Sequence, residues 1–189
     1  MTFLVLNVVK KAVESNKFGV GWLENNIDER NILLGDGKMA YNIGFRSDNA
    51  IERQLSNLAF AHFFIEGREC NSFEGFYMGI KRSGDEIQNE IFKMFGFNAK
   101  NRTKKTKHIY FNGRTMQAGS KEHHELLFQA QVAKYTQHKE SHDALMATGN
   151  TLLYHKVGRD SILYPARVFC RHLTTIRSML RKGELKFVE

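Results

Sequence analysis

Short apolar runs broken by glycine dominate the first part of the chain, and longer runs with helical spacing dominate the rest. The opening TFLVLNVV suits a strand or a short helix. NILLGDGKMAYNIGF has apolar pieces around Gly35, Gly37 and Gly44 and predicts strand and turn. AHFFIEGREC predicts a strand that turns at Gly67. A helix is expected from Asn71 or Ser72 to about Arg82, and a second through DEIQNEIFKMFG, stopped by Gly96. IYFNGRTM carries Asn112-Gly113 between strand-like residues, a tight-turn signal. Ser120 is placed to cap a long helix through KEHHELLFQAQVAKYTQ. Ser141 is placed to cap a short one through HDALMAT, closed by Gly149. Pro165 opens the last helix and Gly183 ends it. On that helix Phe169, Leu173, Ile176 and Leu180 follow helical spacing and should face the core. The class is therefore α+β, a mainly helical domain with a few short strands.

Composition narrows the function classes. The chain has 189 residues, 42% of them hydrophobic and 25% charged, which fits one globular domain spanning 1–189. There is one proline, and no repeat or Gly/Ser linker divides the sequence. No apolar run reaches the ~20 residues of a membrane helix. The apolar start has its lysines after the run, unlike a signal peptide, so a cytoplasmic location is expected. Cys70 and Cys170 form no CxxC pair and read as free thiols in a reducing compartment. The net charge of +8 favours a phosphate-bearing partner, although a merely basic soluble protein would look the same.

The segment NSFEGFYMGIK places Glu74 and Lys81 in an aromatic, apolar run with nothing charged between them. In a helix each residue advances about 100°, so positions seven apart return to within about 20° of each other. The acid and the amine then share a face, with Tyr77 and Met78 between them. Phe73, Phe76 and Ile80 fall on the other side as core anchors. Gly75 and Gly79 allow another backbone or a ligand to come close. An alternative stays open: with Asn71 as N-cap, Glu74 occupies the capping-box position, and Lys81 is a helix-end cation that complements the dipole.

The wider segment SNLAFAHFFIEGRECNSFEGFYMGIK, residues 56–81, resembles the core motif of the NADAR superfamily, the NAD and ADP-ribose associated N-glycosidases. Ser56, Asn57, Phe63, Phe64, Ile65, Glu66, Gly67, Ser72, Glu74 and Lys81 fall in register with that pattern. Downstream, AKYTQHKESHDALMATGNTLL is similar to the family's helix pair, followed by an acid, Asp160, and a closing helix with Arg177. The sequence departs from the family at Leu58, Gly75, Met78 and Ile80. Tyr164 stands where the family has Trp-Gly.

The resemblance implies hydrolysis of an N-glycosidic bond to ribose, without a cofactor. Glu74 is then the carboxyl that stabilises the electron-poor sugar carbon or handles the proton of the leaving amine. Lys81 is a candidate nucleophile, because a dry pocket lowers an amine's pKa. Asp160 would orient ribose hydroxyls, and Ser56, Asn57, Phe63 and Tyr77 would contact the substrate. The expected substrate is ADP-ribosylated guanine in nucleic acid, in an antitoxin or counter-defence role against a toxin ADP-ribosyltransferase. A phosphoribosylamino-pyrimidine of riboflavin synthesis is an alternative, and so is a non-catalytic binder of ADP-ribose or nucleic acid.

A basic insertion at about 97–120 supports the nucleic-acid reading. KNRTKKTK carries Lys100, Arg102, Lys104, Lys105 and Lys107 with no acid among them, next to a Tyr110-Phe111 turn. Its alternative is a solvated loop. No metal is expected: His123 and His124 are adjacent and diverge on a helix, and no ligand set has zinc spacing. GDGKMA lacks the spacing of a phosphate loop.

Overall fold

Two hairpins and a sequence of packed helices make up the computed structural model, which describes residues 40–188. The opening apolar run and most of NILLGDGKMAYNIGF lie outside the described residues. The chain enters at β1 (Tyr41–Asn42) and continues into α1 (Ala50–Leu55), β2 (Phe63–Ile65), β3 (Arg68–Cys70), α2 (Phe73–Gly79), α3 (Asp85–Phe92) and α4 (Gly96–Lys100). There follow β4 (His108–Phe111), β5 (Arg114–Gln117), α5 (Lys121–Gln137), α6 (Lys139–Ala147), β6 (Leu153–Tyr154) and α7 (Ala166–Arg181). β2 pairs with β3 and β4 with β5, both antiparallel; β1 and β6 form a short parallel pair.

Both hairpins turn through two residues with positive φ, Glu66-Gly67 and Asn112-Gly113. Such a turn matches the strand twist, which explains the Asn-Gly signal. The Arg114 guanidinium bonds the Glu66 carboxylate at 2.6 Å, and the Asn112 amide donates to the Glu66 carbonyl at 3.1 Å. The two turns are thereby joined.

Several helix boundaries differ from the sequence reading. Ser72, not Asn71, caps α2: its hydroxyl accepts from the Gly75 amide at 2.8 Å. The Asn71 amide instead donates to the Phe92 carbonyl. Gly96 does not stop the second helix, which ends at Phe92; Gly96 starts α4. Ser141 lies inside α6, whose cap is the His138 side chain, accepting from the Ser141 amide. Helix α1, capped by Asn49, was not expected; its six residues are too short to show a periodic face. Ser120, Gly149, Pro165 and Gly183 mark helix ends as expected.

A continuous apolar cluster runs from Ile43 to Leu185. Helix α2 lies inside it with every residue buried. Phe73, Phe76 and Ile80 are fully enclosed, as is Phe92 of α3. The two glycines of α2 make this packing possible. A Cβ at position 75 would stand 2.5 Å from the Met94 carbonyl oxygen, and one at position 79 would stand 2.3 Å from the Phe92 ring. The partner that approaches these glycines is therefore the protein itself, not a ligand.

A second buried device fastens α1 to α5. The Lys134 ammonium is fully enclosed and donates to the Ser56 carbonyl at 2.9 Å and the Gln54 carbonyl at 3.5 Å. The Tyr135 hydroxyl donates to the Leu55 carbonyl at 3.2 Å. Orphan carbonyls at the end of a helix need donors, and a cation there also meets the negative end of the dipole.

Two predictions follow from this packing. Gly75→Ala should cost about 1–3 kcal/mol in urea unfolding, because backbone oxygens cannot yield as a flexible side chain would. Burial pushes the Lys134 amine from its usual 10.5 down to about 7. Between those values the unfolded chain holds the proton and the folded chain does not, so this residue's contribution to stability rises with pH. The stability difference between the native protein and Lys134→Met should shift in favour of the native protein from pH 7 towards 10; a flat difference would contradict the assignment.

Candidate functional site

The face of α2 that carries ionisable groups is built from the cap outward. Ser72 sets the helix register, and its hydroxyl also donates to the Met94 carbonyl at 2.8 Å. Glu74 therefore occupies the second helical position, where its amide donates to the Asn57 carbonyl at 2.9 Å. With Ser72 as cap and the Asn71 amide engaged elsewhere, the capping-box account of Glu74 does not hold. Lys81 lies just beyond the helix end, in the turn after Ile80.

Both side chains are withdrawn from water: Glu74 is 8% exposed and Lys81 5%. The Lys81 ammonium sits 3.6 Å from the centre of the Tyr77 ring and 3.5 Å from the Met78 sulfur. These are the two residues expected between acid and amine. Neither is a strong acceptor; the ring face stabilises a cation by its quadrupole. Glu74 makes no side-chain hydrogen bond or ion pair with another described residue.

Desolvation dominates the proton chemistry here. Burial raises the Glu74 pKa, against the opposing pull of Lys81 and Lys100. Burial lowers the Lys81 pKa to about 8, against the pull of Glu74. Both shifts favour the neutral forms, a carboxylic acid and a free amine. That pair can donate a proton and attack an electrophilic carbon.

Aromatic groups wall this region. Tyr77 lies nearly parallel to Phe73 and to His123, with ring centres 6.5 and 6.4 Å away. Tyr164 is buried beside Phe73 and Tyr77, and its hydroxyl is 3.0 Å from the His172 ring nitrogen. Tyr164, which stands where the NADAR pattern has Trp-Gly, thus faces the same helix. The Ser161 side chain meets the Tyr77 hydroxyl.

The remaining expected residues are placed unevenly. Asn57 reaches the site through its carbonyl, and its side-chain oxygen accepts from Gln131 at 2.9 Å. Ser56 is buried, its hydroxyl accepting from the Leu58 amide at 3.3 Å. Phe63 is enclosed in the core, because in β2 the alternate residues Phe63 and Ile65 point inward and Phe64 outward. Asp160 is exposed and neighbours Ser161. Its carboxylate accepts from the amides of Ser161 and Ala166 at 2.8 and 2.9 Å, which completes the start of α7. Arg177 is turned inward onto the Thr148 hydroxyl at 2.7 Å and the Thr151 carbonyl at 2.9 Å.

Lys100, Arg102, Lys104, Lys105 and Lys107 are all exposed, along the end of α4 and the segment that enters β4. Arg102 pairs with Glu90 at 3.3 Å. Lys104, Lys105 and Lys107 form no ion pair with another described residue. The charge of Lys100, at the start of the basic segment, exerts a small pull on the buried acid Glu74. Sequence reading overlooked that pull, as well as the approach of His123 and Gln131 from α5. Residues on a distant helix carry no local signal of what they face.

Other clusters lie apart from this face. An open depression of about 340 Å³, lined by Gly67, Arg68, Glu69, Asp85, Asn89 and Lys93, contains neither Glu74 nor Lys81. Among the described residues no three His, Cys, Asp or Glu side chains are grouped to hold a metal ion. Cys70 and Cys170 are free and buried, and burial raises both thiol pKa values.

Comparison with known proteins places this architecture. The NMR structure of the E. coli protein YbiA matches with a TM-score of 0.56 and 18% identity, over 80% of this chain and 92% of that one. YbiA is a NADAR-family protein, and the shared fold is NADAR-like. No curated protein matches the sequence. A family model described as bacteriophage protein GP30.3 matches residues 49–178, from the start of α1 to near the end of α7 and across the whole Glu74–Lys81 face. The chain therefore belongs to the bacteriophage GP30.3 protein family and carries a NADAR-like fold.

Proposed function

We propose that the protein is an N-glycosidase that releases ADP-ribose from guanine bases of nucleic acid. The observation that carries this reading is the burial of the Glu74 carboxyl on α2 and of the Lys81 amine just past its end, with no ion pair to another described residue and only a ring face and a thioether at the amine. A purely structural pair would be expected to form an ion pair or to be hydrogen-bonded on all sides. The exposed basic segment, whose first lysine exerts a small pull on Glu74, supports a polyanionic substrate over a free metabolite. A bacteriophage family suits a counter-defence protein that erases a toxin's mark.

The chemistry follows from the neutral forms. An N-glycoside of an exocyclic amine can open to an imine at the sugar carbon. The free Lys81 amine adds to that carbon, and the bond to the base nitrogen breaks with a proton supplied by the Glu74 acid. Base is released with its amine restored, leaving a Schiff base between Lys81 and the sugar. Water then adds to the same carbon and frees the Lys81 amine and the ribose, so the net reaction consumes one water. Tyr77 holds the protonated resting form of Lys81 against its ring. In this reading Asp160, next to the Ser161 that meets Tyr77, contacts ribose hydroxyls through the carboxylate oxygen that the backbone amides leave open. Because Glu74 and Lys81 are almost closed off, substrate entry requires the segment around Ser161 to move.

Release of ADP-ribose from an ADP-ribosylated guanine oligonucleotide tests the reading directly. Glu74→Gln should lower turnover about 10²–10⁴-fold with oligonucleotide binding retained. Lys81→Ala should lose at least about a hundredfold and should abolish borohydride trapping of the sugar on the protein; turnover within a few-fold of native would sink the covalent route. The reactive species is the unprotonated amine, so the rate of the native protein should rise with pH through about 8. Neutralising Lys104, Lys105 and Lys107 should weaken the oligonucleotide, most at low salt, and leave an ADP-ribosylated nucleoside unaffected. Equal effects on both substrates would remove the clamp.

A further inference from the structure

Helix α5 brings a histidine to the same wall that the reaction outlined above does not use. His123 is fully buried. Its Nδ1 accepts a hydrogen bond from the Gly119 amide at 3.0 Å, so that nitrogen carries no proton. Burial, with smaller contributions from His124 and Lys81, pushes its pKa down to about 4, and the ring is neutral at pH 7. The single ring proton is then on Nε2. That N–H is buried and has no partner among the described residues. An unpaired buried donor costs about 1–3 kcal/mol, and a structure that keeps one calls for a reason.

The surroundings supply it. The imidazole lies within 13° of parallel to the Tyr77 ring, 6.4 Å away, and Lys81 rests 3.6 Å from that same ring. The positive charge of Lys81 is felt at His123. The wall thus combines an amine with a second, neutral donor held in one tautomer. Both donors contact the Tyr77 ring, and the imidazole N–H has no protein acceptor among the described residues, which suits an acceptor oxygen of a ligand.

The geometry points to His123 as a further substrate-contacting residue, whose Nε2–H donates to an acceptor oxygen of the ribosyl group addressed by Lys81. Gly119 fixes the tautomer that makes this possible, and a neutral donor adds no repulsion to the neighbouring ammonium. This inference rests on the N-glycosidase reading and adds a contact to it.

The test separates a ligand contact from a packing role. His123→Phe keeps a buried ring and removes the donor; His123→Gln keeps a donor near the Nε2 position. The thermal midpoint of the Phe variant should stay level or rise, since an unpaired polar group is gone. Its kcat/KM on the ADP-ribosylated oligonucleotide should fall at least about tenfold, and the Gln variant should recover most of that loss. In native protein with ¹⁵N-labelled histidine, the His123 Nε2 should be the protonated nitrogen, and its resonance should move when ADP-ribose is added to saturation. Native turnover with a Phe variant within twofold of it overturns the inference and leaves the N-glycosidase reading intact. An Nε2 signal unmoved at saturation, followed by other resonances, does the same even if the Phe variant does not fold. A native protein that neither releases nor binds ADP-ribose removes both.

Discussion

Helix α2 is closed on every side, and that single constraint shapes the rest of the molecule. A helix with every residue from Phe73 to Gly79 buried has no aqueous face on which to put a charge. Any ionisable group on it bears the desolvation penalty, which works against the charged form. Glu74 and Lys81 bear it with little compensation: one thioether, one aromatic face, and each other at a distance. Burial therefore shifts Glu74 toward the acid and Lys81 toward the free amine, and the proposed chemistry draws on those two shifts.

The other buried cations show what a structural role looks like in this fold. Lys134 spends its protons on the carbonyls that end α1, and Arg177 spends its own on Thr148 and Thr151. Each closes a helix end or a loop that would otherwise leave acceptors unpaired. Lys81 has no carbonyl to serve. The contrast lies in the partners rather than in depth of burial, since all three are withdrawn from solvent. Asp160 belongs with the structural group in this respect, because one carboxylate oxygen accepts from the neighbouring Ser161 amide and from the Ala166 amide at the start of α7.

Packing and reactivity are coupled through small residues. Gly75 and Gly79 let α3 and the chain after it press against α2, which excludes water from the far side. The near side is covered by Tyr77, Tyr164 and the segment at Ser161. Of the positions where the sequence departs from the NADAR pattern, Gly75 lies on the side pressed by α3 and Tyr164 on the covered near side. A buried histidine, His123 of α5, also lies against Tyr77 at this wall.

Much of this was legible in the residues alone. The residues 71–82 predicted a helix with Phe73, Phe76 and Ile80 as core anchors, and those three are fully enclosed; the helix stops at Gly79, short of Lys81, and its other residues are buried as well. Asn112-Gly113, Ser120, Pro165 and Gly183 announced their turns and helix ends, because those signals act through the local backbone. What depended on distant chain was hidden. The choice of Ser72 over Asn71 as cap was decided by Phe92, whose carbonyl claims the Asn71 amide. The inward turn of Phe63, the pairing of β1 with β6, the pull of Lys100 on Glu74 and the arrival of His123 beside Tyr77 all join residues far apart in sequence. Periodicity specifies which face of an element is apolar. Only the assembled chain decides which polar atoms meet across that face, and which of them are left unpaired.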